Sequence, residues 1–172
     1  MRDVNFASLI SMVKEYRSVY GFYSEFMIDD YKRTIQRLEQ DQSKQIEKLF
    51  YNYNTLATED LSDFWAHGHE WIARYDEVLQ SVHGVDFTDL ICGVHRLFQN
   101  PDIRERWRSR YQYISVDEMQ DTGSLEYKVM EMLWEGNHVL LCGDYFQTIY
   151  EWRGSDPFRL LEAFTRDFNP LK

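Results

Sequence analysis

Proline is scarce and unevenly placed, with three residues in 172, at positions 101, 157 and 170. The first 82 residues hold none, and only two glycines, Gly21 and Gly68. So few chain-breaking residues exclude a turn-rich β opening and favour helices. Cysteine is limited to Cys92 and Cys142, without CxxC spacing, which excludes a disulfide framework and a cysteine-type zinc site. Both read as buried free thiols of a cytoplasmic protein. No run approaches 18 apolar residues, so no membrane span is expected. Arg2 and Asp3 lead into an amphipathic run rather than a signal peptide. Positive charge is in deficit: 19 Lys and Arg against 29 Asp and Glu give −10 and a pI of about 4.9. That excludes broad electrostatic binding of nucleic acid, which needs Lys and Arg for the phosphates, and leaves room for a local site built on stacking.

Apolar content of 44%, with 16% aromatic, is enough to bury a core, in one domain or two small ones. Phe6, Leu9, Ile10, Val13 and Tyr20 form a first helical face. Met27, Tyr31, Ile35, Leu38, Ile46, Leu49 and Tyr53 keep near-heptad spacing around Gln42 and read as a second helix of roughly thirty residues. Thr58 before Glu59 and Asp60 is an N-cap signature, after which Leu61, Phe64, Trp65, Ile72, Tyr75, Leu79 and Val82 continue as a third helix. Residues 1–82 therefore read as an all-helical subdomain. His67 and His69 stand two apart on that helix and face different directions, which argues against a shared metal.

Gly84 ends this region and Asp86 caps the next helix, with Phe87, Leu90, Ile91, Val94, Leu97 and Phe98 as its apolar stripe. Asn100-Pro101 is an N-cap followed by proline in the first turn. Arg104, Arg106, Arg108 and Arg110 spread around the helix that follows, as on a solvated face.

The chemistry concentrates between Tyr113 and Gly154. Two short apolar runs, Tyr113–Val116 and Val139–Cys142, read as strands buried on both faces. Between them Leu125, Val129, Met132 and Leu133 have helical spacing, closed by Gly136. Strand, helix, strand implies parallel pairing, and ligands of such sheets gather beyond the carboxyl ends of the strands. Asp117, Glu118 and Asp144 lie there. Paired carboxylates at a strand end suit a hydrated Mg²⁺, which takes one or two carboxylates and leaves the rest to phosphates and water. The neighbouring Glu can orient and deprotonate water. Asp156-Pro157 opens a last helix with Phe158, Leu161 and Phe164 on one face.

The stretch VDEMQDT, residues 116–122, resembles motif II of the UvrD/PcrA/Rep helicases of superfamily 1A, usually (I/V)DE(F/Y)QDT. GDYFQTIYEWRGSD, residues 143–156, resembles their motif III, and Asp86-Phe87-Thr88-Asp89-Leu90 their DFDDL segment. The resemblance covers roughly residues 84–170. It implies that Asp117 serves Mg²⁺, that Glu118 is the catalytic base and that Gln147 senses the γ-phosphate of ATP. Gln120, Asp121 and Asp144 read as polar residues that brace the site. It also implies that Phe87, Tyr150, Trp152 and Arg153 contact single-stranded DNA, with a base stacked on Trp152. Read from the residues alone, Phe87 serves equally as the first core residue of its helix, and Tyr150 and Trp152 as packing under a loop.

The family's phosphate loop, GxxGxGK(T/S), is absent: after position 48 the lysines are Lys128 and Lys172, and neither follows a glycine-rich turn. The resemblance therefore implies an internal piece of a helicase: residues 1–82 as a helical insertion, and 83–172 as the C-terminal half of a RecA-like P-loop NTPase core. The expected fold class is α/β, a short parallel sheet with flanking helices plus the helical subdomain. The parent would hydrolyse ATP with Mg²⁺ and move 3′ to 5′ on DNA, while this chain would hold no nucleotide tightly. Its partners would be single-stranded DNA and the remainder of the helicase, with no membrane. An exposed sheet edge would allow self-association. The alternative is a non-catalytic module derived from a helicase that binds DNA or protein. The helical subdomain either lies along DNA or is a plain bundle.

Overall fold

The computed structural model describes residues 3–41, 58–148, 155 and 157–168. The elements are α1 (Asp3–Tyr20), α2 (Met27–Asp41), α3 (Thr58–Ser81), α4 (Phe87–Phe98), α5 (Pro101–Arg108), β1 (Tyr113–Val116), α6 (Ser124–Trp134), β2 (His138–Leu141) and α7 (Pro157–Phe168). Short 3₁₀ turns at Met119–Asp121 and Tyr145–Gln147 follow the two strands. The protein is mostly helical with a two-stranded parallel sheet. It divides into two compact units, Met1–Gly93 and Val94–Lys172.

In the first unit α2 packs against α1 and α3. Leu9, Ile10, Met12 and Val13 of α1, Tyr31, Ile35 and Leu38 of α2, and Phe64, Ile72 and Ala73 of α3 are buried together. The helical spacing of these residues puts one apolar stripe from each helix into a common core. Ile46, Leu49 and Tyr53, expected to prolong the second helix, and Gln42 lie outside the described residues.

The same unit buries charge. Lys14, 3% exposed, extends from α1 and reaches Asp76 of α3 at 2.8 Å, and Asp86 and Asp89 at the start of α4 at 2.7 Å each. Asp86 Oδ1 accepts from the Asp89 amide at 2.8 Å, and Asp89 Oδ2 from the Asp86 amide at 3.1 Å, a reciprocal cap on α4. Asp76 also accepts from the Tyr31 hydroxyl. Asp30, fully buried, accepts from Arg33 at 3.0 Å and the Ser24 amide at 2.7 Å. Burial opposes the charged form of Lys14, but its three carboxylates prevail and hold its pKa above the ordinary lysine value.

In the second unit Asn100 caps α5, its side chain accepting from the amides of Asp102 and Ile103. The Asn137 amide donates to Leu133 O at 2.7 Å and Arg108 O at 3.2 Å, tying the end of α6 to α5. Gly136, at φ +80°, supplies the left-handed turn between α6 and β2. The strands pair in parallel with Tyr113 opposite His138 and Val116 opposite Leu141. Ile114, Val116, Val139 and Leu141 pack on a cluster of Met119, Tyr127, Trp134, Leu160 and Phe164.

Four expectations are corrected. The strands are not buried on both faces: their exposure alternates, and Tyr113 and Leu140 are 75% and 60% exposed. Among the described residues one face of the sheet is covered, so only the side chains of that face leave water. Cys142, on the open side, is exposed rather than buried, whereas burial pushes the Cys92 thiol up to about 12. In α7 the buried positions are Pro157, Leu160 and Phe164; Phe158 and Leu161 are exposed. The stripe of α4 is likewise only partly used: Phe98 is buried with His95, while Phe87, Leu90 and Leu97 are exposed. No described helix is long and apolar enough to cross a membrane.

Candidate functional site

Parallel strands in level register deliver their carboxyl ends to one edge. Because Val116 pairs with Leu141, the Asp117-Glu118 turn and the Gly143-Asp144 turn leave the sheet side by side. The ladder runs past both strands: Cys142 N donates to Val116 O at 2.8 Å, and Met119 N to Cys142 O at 3.0 Å. These two bonds lock the turns together before any side chain is considered.

Asp117 is exposed and accepts from the Glu118 amide at 2.9 Å. Glu118 has φ 53° and ψ 38°, the left-handed region that side chains other than glycine and asparagine rarely occupy. That conformation reverses the chain directly into the 3₁₀ turn and puts Met119 and Gln120 into the interior, at 7% and 3% exposure. A strained residue beside a strand end is a recurrent mark of function.

Gln120 joins the two turns. Its Nε2 donates to a Glu118 carboxylate oxygen, and its Oε1 accepts from the Asp144 amide at 3.0 Å. Thr148 Oγ1 donates to the Gln120 carbonyl at 3.2 Å. Asp144 accepts from the Phe146 amide at 3.0 Å through Oδ1 and from Gln147 Nε2 at 2.9 Å through Oδ2. Glu118, Gln120, Asp144 and Gln147 thus form one continuous hydrogen-bonded series across the sheet edge. Glycine at 143 makes this possible: a Cβ there would lie 2.6 Å from Gln120 Oε1 and 3.2 Å from Met119 N.

Four of the expected site residues, Asp117, Glu118, Asp144 and Gln147, therefore lie at one edge. Phe87 is in the first turn of α4, in the other unit, with its ring 81% exposed. Tyr150, Trp152 and Arg153 lie outside the described residues. Gln120, expected as a bracing polar residue, joins the two turns, and Thr148 and Gly143 carry more of the geometry than the sequence indicated. The legible signal for Gly143 was a glycine just before Asp144.

No group of three or more His, Cys, Asp or Glu among the described residues could hold a metal ion. A hard cation at this edge would rest on the oxygens of Asp117, with ligands from phosphate and water completing its shell. That donor set fits Mg²⁺, which needs only one or two carboxylates, and does not fit Zn²⁺.

Residues 8–169 match the model of the UvrD/REP helicase N-terminal domain. The chain is 35% identical over 119 residues to DNA helicase II of Haemophilus influenzae, across 66% of this chain and 16% of the relative. It is 37% identical over 100 residues to the ATP-dependent DNA helicase Rep of Escherichia coli, across 57% of this chain and 15% of that protein. To the Rep helicase of Buchnera aphidicola from Acyrthosiphon pisum it is 38% identical over 101 residues, across 58% and 16%. The chain spans less than a fifth of the length of these relatives. With the family match running over nearly its whole length, the chain belongs to the UvrD/REP helicase N-terminal domain family.

Proposed function

We propose that this chain is part of the motor of an ATP-dependent DNA helicase and contributes the hydrolytic edge of a RecA-like nucleotide site. What supports the reading is the hydrogen-bonded series from Glu118 to Gln147 at the carboxyl end of a parallel sheet. Asp117 is the residue that would hold Mg²⁺, which when bound supplies charge neutralisation at the phosphates. Glu118 accepts the proton of the attacking water, and the Gln120 amide orients its carboxylate. Gln147, held by Asp144, presents its own carboxamide to the γ-phosphate. The segment after it, with Tyr150, Trp152 and Arg153, passes the state of the nucleotide to single-stranded DNA, and Phe87 is a further contact to single-stranded DNA.

In this reading residues 1–82 are a helical insertion and 83–172 the C-terminal half of the RecA-like core, moving 3′ to 5′. The outer strand edges pair with further strands of the helicase or with a second copy. The chain carries no glycine-rich phosphate loop, so by itself it neither binds ATP tightly nor hydrolyses it. That same absence favours a second reading, a non-catalytic module that binds DNA or protein.

The test is phosphate release by a chimera in which this segment replaces the matching stretch of an active UvrD/Rep-type helicase. Turnover is expected with Glu118 intact. Glu118→Gln is expected to abolish it and leave single-stranded DNA binding within about twofold, as for loss of a proton acceptor alone. Turnover surviving in the Gln variant removes the base assignment.

A further inference from the structure

We infer that Gln120 is a positioning residue that sets Glu118 and Gln147 through one carboxamide, and that Gly143 is the position that admits it. The inference rests on the nucleotide-site reading for its consequence, but its geometry stands apart from that reading. Gln120 is polar yet 3% exposed, a burial that is costly unless both ends of the amide are paired. Both ends are: the nitrogen on Glu118, the oxygen on the Asp144 amide. The two partners belong to different turns, so the side chain is a cross-link and not a local brace. Asp144 passes the constraint to Gln147 through its own carboxylate.

Space enforces the arrangement. The locus of a Cβ on Gly143 is 2.6 Å from Gln120 Oε1, 3.2 Å from Met119 N and 3.4 Å from Gln120 N. Any side chain at 143 must push the carboxamide out from between the turns. Glu118 would then lose the donor that fixes its carboxylate, and the Asp144 amide its acceptor. Displacing one atom group therefore disturbs the proton acceptor and the phosphate sensor together, although Glu118 and Gln147 share no hydrogen bond.

The experiment is amide hydrogen exchange by NMR on the 172-residue chain, comparing Asp144 with Leu140 of β2, whose amide faces β1, as a reporter of global opening. In Gln120→Ala and in Gly143→Ala the Asp144 amide is expected to exchange about tenfold faster relative to Leu140, the scale of one lost hydrogen bond. Gln120→Glu keeps an oxygen toward Asp144 but sets a second carboxylate against Glu118, so it is expected to restore protection to within about threefold of the parent only at acid pH, where a proton between the two carboxyls replaces the amide donor. The double variant Gln120→Ala with Gly143→Ala is expected to exchange no faster than either single variant, because the group that collides with the new methyl is gone. An unchanged Asp144 rate in Gln120→Ala overturns the cross-link. Additive effects in the double variant overturn the role of Gly143. Failure of the Glu118 chimera test would sink the nucleotide reading while leaving the exchange result intact, so the two can fail separately. In the chimera, Gln120→Glu is expected to lower kcat with KM for ATP little changed; a change confined to KM overturns the positioning role.

Discussion

Replacing Lys14 with methionine should cost the helical unit about 3 kcal/mol at neutral pH and reverse the sign of its pH dependence. Met fills similar volume but removes the ammonium group that pairs with Asp76, Asp86 and Asp89. Breaking a buried ion pair from one side costs about 3–5 kcal/mol, because the remaining charge is left without a partner. Asp86 and Asp89 keep 21% and 29% side-chain exposure, so water relieves part of the repulsion and the lower end applies. In the parent, burial pushes the Asp86 carboxyl up, but Lys14, the Asp89 amide and Tyr75 pull it further down, and its pKa lies below the ordinary value of 3.8. A depressed carboxylate stabilises the fold above its unfolded value, and that stabilisation is lost as pH falls through the folded value. The parent should therefore weaken on acidification below about pH 4. In the Met variant three facing carboxylates without a cation must hold protons more tightly than in the unfolded chain. Stability should then fall as pH rises from about 4 to 6. Urea unfolding followed by far-ultraviolet circular dichroism at several pH values between these limits measures both slopes. A Met variant within about 1 kcal/mol of the parent at pH 7, or one with the same sign of slope, would refute the reasoning.

Glu118→Gly should relieve about 1–2 kcal/mol of left-handed backbone strain but take away the acceptor of the buried Gln120 amide at about 1–3 kcal/mol, leaving stability in urea titrations level or slightly lower while removing the proposed base. A gain of more than about 1 kcal/mol would show that the Gln120 bond contributes little. Trp134 is 2% exposed, edge-on to Tyr127, Phe164 and Phe168, and its buried indole N–H has no hydrogen-bond partner among the described residues. Trp134→Phe should thus lower stability by about 1 kcal/mol or less, the lost apolar contact being offset by removal of the unpaired donor, while Trp134→Ala costs about 3–5 kcal/mol. Equal losses in the two thermal melts would argue against that offset. Trp152→Ala, in the chimera, should weaken single-stranded DNA binding by about 1–3 kcal/mol in anisotropy titrations, the scale of one base stacked on an aromatic ring; unchanged affinity removes the stacking role.

The elements that periodicity and capping specify were readable. Asn100-Pro101, the Gly136 turn and the apolar stripes of α1, α2 and α3 each follow from a local rule that the fold does not override. Burial was less readable, because it depends on what covers a face. Tyr113 and Leu140 have the composition of two-sided strands, yet only one side of their sheet is covered among the described residues. Phe158 and Leu161 look like core in α7, but Pro157, Leu160 and Phe164 are the buried positions instead. The acid-tipped strands located Asp117, Glu118 and Asp144 before any coordinates. What joins them was hidden, since the cross-link depends on a left-handed Glu118 that swings Gln120 inside. No pattern of residue types announces a positive φ at a glutamate. Lys14 was overlooked for the opposite reason: it sits beside Val13 on an apolar face, and its carboxylates come from residues more than sixty positions away.

The missing Cβ at position 143 also has a hereditary side. Every codon for glycine begins with two guanines, and any single base change that replaces the amino acid installs at least a methyl group. Mutation thus has no small first step away from Gly143 while Gln120 stays where it is. Lineages that lose the glycine should be those in which the glutamine has already shortened, so the order of the two events, reconstructed along a phylogeny, would carry the imprint of a space that leaves an added carbon only 2.6 Å from its neighbour.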